Sequence, residues 1–549
     1  MKFKPQTLYT IQCLNTYLLE RNHDAIAACV EAADLDDLLS DETLTKIRAR
    51  GKNVLVIFLS SLAASNDINV ARASWWRDVY QSVASRSPHG KIVTLGDANV
   101  MSMVIHAVGH QKPLTKQNLF KVKGSDAHWL DAFELALDNH QWATAQALLE
   151  RLGGMRAETK LWLQLSKSLA FRHKMMPDYA KSEDHKRVAR MYELMQMALR
   201  NAGAQDSSNS LLLLRGSSLQ EAGAFDEAIH VFNKLSLTGN SVAAQIEISR
   251  CLCKDGDLLG SIEWADKVIE NHRKFSVGVD EVSEMDALIP NPTETKFDVS
   301  NANVALADLV EVLGQQAGQK IFLVSGTLLG YERDGKLMDH DKDIDVGVLG
   351  WQGQYEAVMA LIASKRFQVS PRYLKGIDTY YIPIMHTTTG VWIDLFIYHE
   401  INQKWVTGVD FFYGYRQTFA FTPFKLKPIK FLGVDMYVPE NTALNLEENF
   451  GNWRVPDPSY ISHLESPSTT DKGGLAHLLT ARLWTIRAIQ ARNPAKLGKV
   501  IDILRQYQHC PGGISEPLLQ ELMRLHTQIS REAEKQSALN EHSQELAHA

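Results

Sequence analysis

The sequence predicts a multidomain chain with an α-helical repeat region first, an α+β domain after it and a helical C-terminal extension. Three observations carry this. The length of 549 residues is three to four times the ~150 residues of an ordinary domain. Apolar residues recur at three and four positions through most of the first half, the period of amphipathic helices. After the Pro290-Asn291-Pro292 interruption the pattern changes to short apolar runs and alternation, the signature of strands.

Composition narrows the class. Hydrophobic residues make up 45% and charged residues 22%, as in soluble globular chains. With 58 Lys and Arg against 64 Asp and Glu, the net charge is −6. No basic excess is available for a phosphate backbone, so nucleic acid is not an expected partner. Cys13, Cys29, Cys251, Cys253 and Cys510 form no CxxC pair and are expected as reduced, mostly buried thiols. The first residues lack the apolar core of a signal peptide. The longest largely apolar run, Val54 to Ala64, is about half the ~20 residues a bilayer requires. The expected location is the cytoplasm, with peripheral attachment to the inner face of the membrane as the variant.

Helical periodicity runs from Thr7 to Val30, Leu44 to Leu62, Trp129 to Leu152 and Lys186 to Leu199. Within it, the VLVIFL run from Val54 to Leu59 reads equally well as a buried strand. The segment starting Glu221-Ala222-Gly223 aligns with Lys254-Asp255-Gly256, an offset of 33 residues. Looser copies start at Asn139 and Arg21. A helix, a small-residue turn and a second helix at this period resemble tetratricopeptide (TPR) repeats. Residues 1–273 are therefore expected as TPR-like helices, able to dock a protein partner or to act as a spacer. Residues 274–297, acidic and Pro-interrupted, read as a linker. Residues 298–465 read as the α+β catalytic domain, and residues 466–549 as a helical extension with a polar tail.

The chemistry concentrates between Ile321 and Gly350, IFLVSGTLLGYERDGKLMDHDKDIDVGVLG. Alternate side chains of a strand share a face, so Asp341, Asp343 and Asp345 point one way and Ile344 and Val346 the other. Same-face carboxylates ~6–7 Å apart repel, and a divalent cation offsets that repulsion. Hard oxygen ligands suit magnesium or manganese. Downstream, Asp394 interrupts the apolar run Val391 to Ile397, where an uncompensated charge is costly. If its strand lies beside the first, Asp394 joins Asp343 and Asp345 in a three-carboxylate metal site. Upstream, Ser325-Gly326-Thr327 closes a strand and opens a helix, an arrangement whose backbone amides can approach a phosphate. Arg333 and Lys336 are candidate donor-phosphate contacts. His340 and Asp341 flank the acidic run as supporting groups, and His386 is a weaker candidate ligand or base. Trp405, Phe411, Phe412, Tyr413 and Tyr415 are candidates for stacking on sugar or base rings, or for core packing.

A small-residue turn after a strand, Asp-x-Asp on the next strand and one Asp on a later strand resemble the nucleotidyltransferase superfamily. Within it, SGTLLGYERDGKLMDHDKDIDVGV, the Trp392-Ile393-Asp394-Leu395-Phe396 strand, Val438-Pro439-Glu440 and Phe450-Gly451-Asn452-Trp453 are similar to the LicD/fukutin-type phosphotransferases. The likeness runs from about Asn301 to Pro458. Phe450 stands where the family commonly has Tyr, and Lys342 replaces a frequent acid. The resemblance implies a nucleotidyltransferase fold and transfer of ribitol phosphate, glycerol phosphate or phosphocholine from a CDP-activated donor. The implied acceptor is a hydroxyl of a glycan or lipid-linked glycan in cell-surface polysaccharide biosynthesis. In that reading Asp343 and Asp345 hold metal, and Asp394 binds metal or takes the acceptor proton. Two alternatives remain open: transfer of a nucleoside monophosphate to a small molecule or protein, and a repeat-based adaptor carrying an inactive transferase domain.

Overall fold

The computed structural model describes residues 25–28, 53–56, 113–115, 119, 126–154, 157–174, 176, 180–237, 241–271, 299–338, 341, 343–369, 373–411 and 413–548. The chain divides into two compact units, Met1–Val231 and Phe232–Ala549. The stretch read as a linker lies outside the described residues.

In the first unit, strands β1 (Ala25–Ala28) and β2 (Asn53–Val56) pair in parallel, Ala25 opposite Asn53. The helix expected through Val30 is thus a strand at Ala25–Ala28, and the ambiguous apolar run beginning near Val54 resolves as a strand there. Inter-strand pairing overrides the helix preference of alanine. Helices α1 (Asp126–Asp138), α2 (Trp142–Leu152), α3 (Thr159–Lys174), α4 (Ser182–Asn201) and α5 (Gln205–Glu221) follow, and α6 (Phe225–Ser236) spans the unit boundary. Trp129, Phe133, Trp142, Leu148, Leu165, Met191 and Tyr192 form one buried cluster from α1 to α4.

The two aligned copies close with the same turn. After α5, Ala224 donates to the Leu219 carbonyl and Gly223 to that of Gln220. After α7 (Ser241–Asp255), in the second unit, Asp257 donates to Leu252 and Gly256 to Cys253. The same pair of bonds follows α1, at His140 and Gln141, and α4, at Gly203 and Ala204. Residue 140, 203, 223 or 256 sits at positive φ in each case, the left-handed cap that closes a helix and favours glycine. His140 accepts this conformation without being glycine. The same bonds and a positive φ at Arg492 also close the helix Leu475–Gln490, so the turn is a recurrent helix cap of this chain rather than a mark of the repeat.

In the second unit, α7 and α8 (Leu258–Glu270) precede the undescribed linker region, yet they pack with helices from the far end of the chain. Val268 and Ile269 share a core with Ala481, Ile486, Leu497 and Leu522. Those residues lie on α14 (Leu475–Gln490), α15 (Pro494–Gln506) and α16 (Glu516–His548). The fully buried Arg482 clamps Asp266 through Nε at 2.7 Å and a second nitrogen at 3.2 Å. The expected boundary at 274–297 accordingly falls inside one compact unit. Cys251, Cys253 and Cys510 are in no disulfide.

Between them lies a nine-stranded mixed sheet. Helix α9 (Val299–Leu309) runs into a π turn, followed by β3 (Phe322–Leu323), α10 (Ser325–Asp334), β4 (Asp343–Leu349) and α11 (Gly350–Ser364). Strands β5 (Phe367–Val369), β6 (Tyr381–His386), β7 (Trp392–Ile401), β8 (Lys404–Asp410), β9 (Arg416–Phe421), β10 (Leu426–Phe431) and β11 (Val434–Pro439) follow, then α12 (Thr442–Phe450) and α13 (Ser462–Glu465). The sheet order is β10-β11-β3-β4-β7-β6-β5, with β8 and β9 continuing from the far end of β7. Strand β4 is parallel to β7 and antiparallel to β3. One face, carrying Ile344, Val346, Ile382, Ile384, Ile393 and Leu395, packs with α9 and α11. On the other face, Phe322, Tyr398, Phe419 and Phe421 cover the C-terminal ends of β4 and β7. Among the described residues no helix is long and apolar enough to cross a membrane.

Candidate active site

The N-terminal ends of β4 and β7 carry the acidic residues. Residues alternate core and site along both strands, in the burial pattern that strand periodicity predicts. The parallel register sets Asp345 directly beside Asp394 and Asp343 beside Trp392. From the other side, β6 sets Pro383 beside Asp394 and Met385 beside Trp392. Two carboxylates on adjacent strands, with a third one step along, converge on one face. Asp341 lies ahead of the strand, in a turn where its Oδ2 accepts from the Met338 amide at 3.0 Å.

Helix α10 begins against this group. Its Gly326 amide donates to Oδ2 of Asp345 at 2.8 Å, and the fully buried Thr327 accepts the Asp345 amide on Oγ1 at 2.8 Å. The N-terminus of α10 is therefore capped by a carboxylate from the neighbouring strand, where the helix dipole favours negative charge. Space at Gly326 is tight: a Cβ there would sit 3.0 Å from Oδ2 of Asp345. Ser325 stands at φ 45, a left-handed conformation unusual for a non-glycine residue. Gly326 and Thr327 thus hold Asp345 in place.

The carboxylates are strongly perturbed. Burial, then the charges of Asp394 and Asp343, push the Asp345 carboxyl well above the ordinary range. Asp341 adds to this, and the Gly326 amide opposes it. Burial and then Asp343 raise Asp394 to about 7, against the hydrogen bond from Tyr381. That bond runs from the Tyr381 hydroxyl to Oδ1 of Asp394 at 2.9 Å. Concentrated negative charge without a matching cation has this signature. Among the described residues, no group of three or more His, Cys, Asp or Glu is placed as a metal site. The donor set, hard oxygens in mutual repulsion, nevertheless fits magnesium or manganese.

Other expected residues fall elsewhere. Arg333 donates to the Trp453 carbonyl, tying α10 to the segment after α12. Lys336 is exposed in the turn after α10. His340, Lys342 and Phe412 lie outside the described residues. His386 is fully buried on the opposite face, bridging Asp308 Oδ2 at 2.9 Å and Thr389 Oγ1 at 2.8 Å. It fixes α9 to the sheet. The aromatic candidates pack inside: Phe411 stacks on Tyr415 at 4.7 Å, and Tyr413 donates to the Ile246 carbonyl at 3.2 Å. Trp405 donates to the Phe424 carbonyl at 3.3 Å. Two residues of the site, Tyr381 and Trp392, were not singled out from the sequence. Period-two counting back from Asp394 finds Trp392; Tyr381 depends on strand pairing.

Residues 318–441 match the LicD/FKTN/FKRP nucleotidyltransferase domain. This segment is a LicD-type domain. The match takes in Gly326, Asp343, Asp345, Tyr381 and Asp394, and ends before the Phe450–Trp453 segment. The chain is also similar to ribitol-5-phosphate transferase FKTN of Homo sapiens, 22% identical over 157 residues, which is 28% of this chain and 34% of that protein. The Macaca fascicularis and Mus musculus proteins of that name are each 23% identical over 158 residues. The chain thus spans about a third of the length of these curated relatives.

Proposed function

We propose that the protein transfers a phospho-alcohol from a CDP-activated donor to a hydroxyl of a glycan or lipid-linked glycan. The single observation behind this reading is the in-register pair Asp345–Asp394, with Asp343 alongside, inside the LicD-type domain. Phosphoryl transfer asks the protein mainly for charge neutralisation and positioning. Asp343 and Asp345 are the residues that would hold magnesium or manganese, with Asp394 either joining them or taking the acceptor proton. A bound divalent ion supplies neutralisation of the pyrophosphate charge.

The chain's own groups do the rest. Gly326 and Thr327 keep Asp345 at one angle, so the carboxylate does not have to reorganise during transfer. Tyr381 occupies Oδ1 of Asp394 and leaves Oδ2 to accept the proton of the attacking hydroxyl. Ser325, Arg333 and Lys336 stay candidates for donor contacts. The helix pairs are the proposed TPR-like platform for a protein partner or a long acceptor. The proposed setting is the cytoplasm or the inner membrane face, where lipid-linked acceptors present their sugars.

The nucleotidyltransferase description of the matched domain favours a second reading, attack at the α-phosphorus with transfer of the nucleotide. Separate incubation with CDP-ribitol, CDP-glycerol, CDP-choline and nucleoside triphosphates, with a mixed glycan acceptor, separates the two. CMP release supports phospho-alcohol transfer. Pyrophosphate release from a triphosphate supports the second reading. Absence of both, with no shift in Tm on adding metal, favours an inactive adaptor.

A further inference from the structure

Trp392 is 50% exposed, the most exposed tryptophan among the described residues. It begins β7, with Asp343 beside it on β4 and Met385 beside it on β6. It shares a face with Asp394 two residues on, ~6–7 Å along the strand. An indole is the largest apolar surface a side chain can offer. This one lies open at the edge of a carboxylate site, while the farther ends of β4 and β7 are roofed by Phe322, Tyr398 and Phe421.

We infer that Trp392 is the platform on which the acceptor sugar stacks, presenting a ring hydroxyl to Asp394. The inference rests on the phosphotransfer reading for the identity of the ring. The C–H face of a sugar covers an indole without bringing charge next to the carboxylates. The distance from Trp392 to Asp394 is about the span of one sugar ring, so a stacked sugar reaches the residue that takes its proton. The cytosine of a CDP donor is separated from the attacked β-phosphorus by ribose and the α-phosphate, and lies farther away. The exposed outer edge of Trp392 lets an acceptor of more than one sugar extend into solvent.

The test uses the full chain labelled with 5-fluorotryptophan and observed by fluorine NMR in the presence of magnesium. The Trp392 line is assigned by its loss in Trp392→Phe. Methyl glycosides of hexoses and N-acetylhexosamines are titrated in one series, and CMP in another. A saturable shift of the Trp392 line with at least one glycoside, absent with CMP, is the expected result. A line that no glycoside moves, or that CMP moves as strongly, overturns the assignment. The experiment needs no turnover, so its failure is separable from that of the phosphotransfer reading, which CMP release from CDP-ribitol decides.

Discussion

The phenol of Tyr381 donates to Oδ1 of Asp394 at 2.9 Å, across the antiparallel pair β6–β7. The bond orients a carboxylate that burial and Asp343 raise to about 7 even with the Tyr381 hydroxyl opposing them. Tyr381 is itself held by Phe396 and Tyr373, with ring centroids at 5.5 and 5.7 Å. Tyr381→Phe keeps those packing contacts and removes only the hydroxyl. A hydrogen bond to a charged group contributes about 1.5–3 kcal/mol, so kcat is expected to fall about tenfold or more with little change in Tm. Unchanged kcat would remove Tyr381 from the positioning role.

Asp345→Asn and Asp394→Asn should each abolish transfer while leaving the metal-free protein as stable or more so. Each adjacent carboxylate pair repels by roughly 2–3 kcal/mol at an effective dielectric near 20, and the amide ends that repulsion. At position 345, asparagine can still accept from Gly326. Asp343→Asn behaves in the same way, and Asp341→Asn is milder because its carboxylate is bonded within its own turn. Turnover and Tm, each with and without manganese, are the measurements. Near-normal turnover in Asp345→Asn sinks the assignment.

Gly326→Ala tests the packing of α10 against the acidic strand. The added methyl meets Oδ2 of Asp345 at 3.0 Å, so helix or carboxylate must give by a few tenths of an ångström. A displacement of about 1 Å at a reacting centre costs about a hundredfold in rate, so a few tenths should cost a few-fold. Activity should therefore fall more than stability. A loss confined to Tm, with kcat intact, would make Gly326 a structural residue only.

Two buried histidines should each lower stability in mild acid, against the opposite contribution of Asp345 and Asp394, whose raised carboxyls favour the folded state as pH falls. Burial, then the charge of His185, holds His173 down at about 4 in the first unit. Burial, then Arg487, holds His463 at about 4 in the second. In the unfolded chain both titrate near 6.5. Between these values the unfolded state binds more protons at both histidines, so their part of the stability is lost as pH falls from about 6.5 toward 4 and is complete above that window. Each histidine contributes about 2–3 kcal/mol across it. Calorimetry from pH 7.5 to 4.5 reads the effect. His463→Phe, placed against Phe411, should flatten the part carried by the second unit, and an unaltered slope would contradict this account.

Arg482 and Asp266 join α14 to α8, with Arg482 fully buried. Arg482→Ala leaves a carboxylate without its partner in a setting where burial already raises its pKa. The expected cost is about 3–5 kcal/mol. For the same reason a fragment starting at Asp298 uncovers the apolar faces of α14 and α15. It should be less soluble and melt lower than one starting at Ser241. Equal behaviour of the two fragments would show that α7 and α8 are dispensable to the unit.

The sequence by itself determined a good deal. Period-two alternation around Ile344 and Ile393 identified which side chains leave the core, and so which aspartates are available. The glycines spaced 33 residues apart marked where two helices end, because a left-handed cap favours glycine. The acidic strand and its preceding turn carried the LicD likeness. Tertiary structure alone decided the neighbours. Alternation says which face a residue takes and is silent on which strand lies beside it, so the Asp345–Asp394 register came only with the parallel pairing of β4 and β7. The same pairing turned Trp392 to the site. The pairing of β6 with β7 brought in Tyr381 and sent His386 to the opposite face. Amphipathic periodicity likewise showed that α8 must bury one face, but its partner lies more than 200 residues away in α14. Local sequence encodes the need for a contact; the folded chain supplies the partner.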